Sequence, residues 1–161
     1  MQRDHDGDSD LRAQILLVED NPDDADLTLR ALRKRRVADR IAWVKDGAEA
    51  LDFLFAQGVH SGRASAPPPA LVLLDLKLPK VGGIEVLRRM RADPRLRMVP
   101  VVILTSSAHD HDVVGAYLEG VNSYVTKPIE FAKFQAAVEE VGIYWMQRNR
   151  SPEPPAVIRG V

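Results

Sequence analysis

The sequence predicts an α/β fold, a doubly wound parallel sheet of five strands with helices on both faces. Three observations predict it. Short apolar runs recur five times along the chain, at Ile15–Val18, Ile41–Val44, Ala70–Leu74, Val99–Leu104 and Ser123–Thr126. Most of these runs are continuous rather than alternating, as in strands buried on both faces. Segments of helical period separate them, and alternation of this kind closes most simply as a right-handed, doubly wound sheet.

The elements follow in order. Residues 1–12 are polar, with Asp4, Asp6, Asp8 and Asp10 in alternation, and read as a disordered tail. They lack an apolar core segment and so do not form a signal peptide. The first strand stops at Glu19-Asp20-Asn21-Pro22, and a proline suits the first turn of a helix. That helix is expected to run to about Arg36, with a basic, solvated last turn at Arg33–Arg36 that complements the helix dipole. After the second strand, Asp46-Gly47 caps a helix to about Gln57. Residues 58–69, rich in Gly, Ser and Pro, read as a loop. The third strand, 70–75, leads to Gly82-Gly83 and a helix carrying Val86, Leu87 and Met90, which stops before Pro94. The fourth strand is followed by a helix over about 110–119 ended by Gly120. After the fifth strand and Lys127-Pro128, a long helix is expected to about Arg148. This gives a domain over residues 13–148 and a flexible Pro-rich tail over 149–161.

Composition narrows the function. The chain has 161 residues, 45 % of them hydrophobic, which suits one full core. A net charge of -1 argues against a nucleic-acid or anionic-membrane partner. With no cysteine there is no disulfide, thiolate metal site or Cys nucleophile, which fits a cytoplasmic protein. No apolar run approaches the ~20 residues of a membrane span.

The strand ends carry the chemistry. In open α/β sheets functional groups gather outside the carboxyl ends of the strands. Those ends are Glu19-Asp20, Asp75, Thr105 and Lys127. If the first and third strands are neighbours, three carboxylates share one crevice. At ~4 Å and an effective dielectric of ~20, each like-charge pair costs about 4 kcal/mol. Either the carboxyls take up protons or they bind a cation. Oxygen-only ligands favour a hard divalent ion, with Mg²⁺ the leading candidate. A cation beside a carboxylate, with a hydroxyl and an ammonium opposite, suits a phosphoryl group. Asp75 can then attack phosphorus and carry it as an acyl phosphate.

The segments "LLVEDNP", "DGAEAL", "LVLLDLKLPKVGG", "VVILTSS" and "NSYVTKP", in this order, resemble the receiver domains of two-component response regulators, over about residues 14–148. The resemblance implies a flavodoxin-like (βα)5 fold and a single-domain regulator that accepts a phosphoryl group from a sensor histidine kinase. It implies Asp75 as phospho-acceptor, Asp20, Asp75 and the backbone carbonyl of Lys77 as Mg²⁺ ligands, and Glu19 as holder of a metal-bound water. Thr105 and Lys127 would bind the phosphoryl oxygens, and Thr105 and Tyr124 would form the switch. It also implies a cis Lys127–Pro128 bond. "EDNPDDADLTLRAL", "LTSS", "VNSYVTKP" and Tyr144-Trp145 look most like phytochrome-associated regulators, whose kinase is a phytochrome. Lys77 and Ser107 occupy positions that in the family tune how fast phosphate is lost.

In the last helix, Phe134, Val138, Val141 and Trp145 recur at core-facing spacing. Phe131, Ile143, Tyr144 and Met146 remain as an apolar surplus, the candidate interface of a homodimer. His5, His60, His109 and His111 read as neither catalytic nor metal-binding. Two other functions fit less well. A Mg²⁺-dependent phosphohydrolase would want a second acid where Lys77 stands, and a non-phosphorylated binding module would lack one of the site residues. No turnover of external substrates is expected, and output through protein partners is.

Overall fold

The structure, a computed structural model, describes residues 13–152. The expected tail over 1–12 lies outside the described residues, as does 153–161 of the expected C-terminal tail. Five strands, β1 Ile15–Val18, β2 Ile41–Val44, β3 Leu71–Leu74, β4 Val101–Thr105 and β5 Ser123–Thr126, form one parallel sheet in the order β2-β1-β3-β4-β5. The helices are α1 Pro22–Lys34, α2 Gly47–Phe55, α3 Gly83–Ala92, α4 Asp110–Leu118 and α5 Phe131–Ile143. Strand order reverses between β1 and β3, so the crevice of the fold opens there.

Each strand feeds two cores because its side chains alternate faces. Leu16, Val18, Val72, Leu74 and Ile103 pack with Phe53 of α2 and Leu87 and Met90 of α3. Ile15, Leu17, Leu71, Leu73 and Val102 pack with Leu32 of α1 and Phe134 and Val138 of α5. Continuous apolar strands are therefore required, and β1 and β3 are buried at every position.

Local chemistry sets the helix starts. Asn21 accepts the backbone N–H of Asp23 and Asp24 at 2.9 and 3.2 Å and caps α1, with Pro22 following. Asp46 accepts from Glu49 N–H at 2.8 Å and caps α2. Gly83 opens α3 where only glycine fits, since a Cβ there would lie 2.3 Å from the Asp75 carbonyl oxygen.

Three expectations are corrected. Residues Gly58–Arg63 form a 3₁₀ turn rather than plain loop, held by the buried Arg63, whose Nε donates to the Phe53 carbonyl at 3.1 Å. The last helix does not stay α-helical to Arg148. It widens into a π turn over Tyr144–Arg148, closed by Asn149 N–H on the Tyr144 carbonyl at 2.7 Å. The Lys127–Pro128 bond is trans, the default for X–Pro, as is every other peptide bond among the described residues. The long Lys127 side chain enters the crevice without a cis turn.

Candidate functional site

The sheet register builds the site. Val18 pairs with Leu74, so Glu19 and Asp75 leave adjacent strands side by side. The ladder continues one step past both, through Asp75 N–H to the Val18 carbonyl and Glu19 N–H to the Val44 carbonyl, each at 3.1 Å. Thr105 pairs with Thr126, and Lys127 N–H donates to the Thr105 carbonyl at 2.7 Å, which aims Lys127 from the far side.

Lys127 Nζ lies 2.9 and 3.1 Å from the two Glu19 oxygens, 3.1 Å from Asp75 Oδ2 and 3.0 Å from Asp24 Oδ2. Glu19, Asp75 and Thr105 are buried, and Asp20 is exposed at the mouth. Carboxylate oxygens of Glu19, Asp20 and Asp75 lie within 4.8 Å of one another. This all-oxygen set fits a hard divalent cation. Lys77 is exposed, and its N–H donates to Asp75 Oδ1 at 3.3 Å.

Burial and the neighbouring Asp75 push the Glu19 carboxyl up to about 8, against the pull of Lys127. Burial would raise Asp75 as well, but hydrogen bonds from Glu19 and Thr105 and the charge of Lys127 hold it below the usual carboxylate range. Burial alone would lower Lys127, yet its carboxylates hold it above the usual lysine value. Burial thus biases Glu19 toward its protonated form, while its donors bias Asp75 toward the ionised one.

The rim joins the site to α4. Ser107 is buried, its N–H donates to Thr105 Oγ1 at 3.4 Å, and its hydroxyl bonds the Asp112 carboxylate. The half-buried Tyr124 donates its hydroxyl to the Ser107 carbonyl at 2.8 Å. Thr105, Ser107 and Tyr124 therefore meet at one loop.

The candidate interface residues divide. Phe131 and Tyr144 are exposed, whereas Ile143 and Met146 are partly buried against the α1–α5 core, beside Val141 and Trp145. His109 and His111 are exposed, His60 stacks edge-on against Phe53, and His5 lies outside the described residues. Asp24 is the site residue that sequence reasoning missed. It looks like any acid in a helix first turn, and only its spacing of four after Asp20 hints that it faces the crevice.

The family model for the response regulator receiver domain matches residues 15–139. The chain belongs to that family. The receiver is 47 % identical over 140 residues to the probable methanogenesis regulatory protein FilR2 of Methanothrix harundinacea, covering 87 % of this chain and 88 % of that one. It is 36 % identical over 138 residues to response regulator Rcp1 of Synechocystis, covering 86 % and 92 %. The Mn²⁺-bound structure of Rcp1 superposes with a TM-score of 0.79 at 36 % identity, covering 86 % of the receiver and 97 % of Rcp1. The phosphorylated cyanobacterial phytochrome response regulator RcpA gives 0.81 at 36 % identity, covering 88 % and 99 %. The bacteriophytochrome response regulator RtBRR gives 0.69 at 48 % identity, covering 89 % and 86 %.

The receiver fold is thus the flavodoxin-like one expected, and the protein is a response-regulator receiver homologous to phytochrome-associated regulators, working in phosphorylation-based signalling with a histidine kinase as partner. Receiver domains hold a divalent metal at their acidic pocket, here formed by Glu19, Asp20 and Asp75. Among the described residues no helix is long and apolar enough to cross a membrane.

Proposed function

We propose that the receiver is cytoplasmic and accepts a phosphoryl group on Asp75 from the phosphohistidine of a sensor histidine kinase, with Mg²⁺ held by Asp20, Asp75 and the Lys77 carbonyl, and by Glu19 through a water. The observation that carries this is the convergence of the β1 and β3 ends on the amine that follows β5, Lys127 Nζ within 3.1 Å of both Asp75 and Glu19. An ionised Asp75 oxygen attacks phosphorus, the P–N bond to the donor imidazole breaks, and the imidazole leaves with the electron pair and takes a proton. Mg²⁺ would neutralise the carboxylates and the charge gathering on the phosphoryl oxygens. Lys127 turns from the Asp75 carboxylate to a phosphoryl oxygen, and the Thr105 hydroxyl donates to another. The product is a signal state of the receiver, without turnover of an external substrate.

Two further points belong to this reading. The kinase is a phytochrome, supported by the likeness to RcpA and RtBRR. The receiver works as a homodimer that uses the α5 surface around Phe131 and Tyr144, both exposed and large. The 47 % identity to FilR2 favours a second reading of the input alone, a kinase that answers a stimulus other than light.

Incubation with acetyl phosphate tests the chemistry. One phosphoryl group per chain is expected by intact mass with Mg²⁺, and none with excess EDTA. Labelling that is indifferent to EDTA would refute the metal-assisted reading. Phosphotransfer from a bacteriophytochrome kinase separates the two inputs, and is expected within minutes if the partner is of that class.

A further inference from the structure

Lys127 is bound by one more carboxylate than phosphoryl transfer uses. An ammonium has three protons to donate. Glu19, Asp75 and Asp24 take them all, with Asp24 Oδ2 at 3.0 Å. Asp24 stands outside the metal-holding trio. Its backbone is bonded on both sides within the helix end. Its N–H donates to Asn21 Oδ1 at 3.2 Å, and its carbonyl accepts the buried Thr28 hydroxyl at 2.7 Å. It is also the outermost partner. Its side chain is 31 % exposed, against 9 % for Lys127 and Asp75 and 3 % for Glu19.

These positions differ in what happens once Asp75 is phosphorylated. The Asp75 oxygen gives up its charge to the new P–O bond, and the phosphoryl oxygens inherit its claim on Lys127. Glu19 is drawn toward the metal. Asp24 keeps its full charge, so it goes on pulling the ammonium toward the rim. We infer that Asp24 is a positioning residue that competes with the phosphoryl group for Lys127 and so lengthens the life of the phosphorylated state, because it draws off an ammonium that would otherwise stabilise the charge built up as water attacks phosphorus.

The inference rests on Asp75 as phospho-acceptor, and the experiment keeps the two apart. The full chain and its Asp24→Asn and Asp24→Glu variants are labelled with acetyl phosphate and Mg²⁺, the donor is removed, and decay is followed by intact mass. Decay is attack by water, so it is blind to any repulsion between Asp24 and an anionic donor. Asp24→Asn is expected to shorten the half-life about threefold or more, the scale of a partly exposed ion pair. Asp24→Glu, which restores the charge, returns it toward wild type. In a Lys127→Gln background, Asp24→Asn changes the half-life less than about twofold, because the competitor has lost its object. Unchanged or slower decay in Asp24→Asn overturns the inference, as does an undiminished effect in the Lys127→Gln background. Wild-type protein that takes no label overturns the parent reading and this one together.

Discussion

Glu19 and Asp75 are both buried carboxyls beside the same ammonium, yet they hold protons differently. Glu19 is pushed up to about 8, while Asp75 stays below the usual range because it has Thr105 and Glu19 as donors. That difference suits the proposed division of labour, in which Asp75 is the group that takes the phosphoryl load. Glu19 also carries a reporter, since Trp43 Nε1 donates to its backbone carbonyl at 2.8 Å. Mg²⁺ added to the receiver is expected to change tryptophan emission, and Trp43→Phe to abolish the change while Trp145 still emits. A response that survives Trp43→Phe would place its origin elsewhere. Glu19, Asp20, Asp75, Thr105 and Lys127 were legible in the sequence because each follows an apolar run, and parallel strands deliver their ends to one edge. Asp24 was not, because an acid in the first turn of a helix is already explained by the dipole. Buried Arg63 was hidden too. Its guanidinium lies 3.6 Å from the Phe53 ring centroid, a partner ten residues away that no local pattern announces.

Among the elements, β4, β5 and the start of α4 form one mechanical unit. The Ser107 hydroxyl bonds Asp112 in the first turn of α4, and Tyr124 of β5 reaches the Ser107 carbonyl. In the proposed switch, a pull on Thr105 by a phosphoryl oxygen would reach all three through these bonds. We expect amide exchange across residues 105–126 to differ between phosphorylated and free protein, and identical protection there would contradict the switch. The α1–α5 pair is a separate unit, pinned by Glu139, which accepts from Arg35 Nε at 3.0 Å and from Gln135 Nε2 at 3.3 Å. Burial would raise the Glu139 carboxyl, but Arg35 and Lys34 hold it below the usual glutamate value. A depressed carboxyl contributes stability above its unfolded pKa and loses it as pH falls through the folded one. Glu139→Gln is accordingly expected to lower Tm at pH 7 by at most about 4 °C, since its cationic partners are largely solvated. The gap is expected to close as pH drops below the glutamate range, and a gap that persists in acid would mean packing rather than charge. Helix starts were legible from Asn21-Pro22 and Asp46-Gly47. The π turn at Tyr144–Arg148 was not, because its apolar spacing fits an α-helix equally well and the wider turn lets Trp145 and Met146 reach the core.

For the whole molecule, the five-fold β-α alternation was enough to predict the sheet and the crevice, since continuous apolar strands have no stable home except between two helical layers. Assembly is less determined by pattern. Of the four apolar residues left over on the last helix, Ile143 and Met146 find partial cover in the monomer, so a dimer rests on Phe131 and Tyr144. Light scattering at micromolar concentration is expected to give twice 17.9 kDa, falling toward one chain for Phe131→Asp with Tyr144→Asp. A mass of one chain at every concentration would contradict the dimer. In the proposed function, sheet, crevice and assembly serve a single event, the loading of Asp75. That event is tested most directly by intact-mass measurement of the receiver and its Asp75→Asn variant, each incubated with acetyl phosphate and Mg²⁺. The account predicts one added phosphoryl group on the wild type and none on Asp75→Asn, and equal labelling of the two proteins would contradict it.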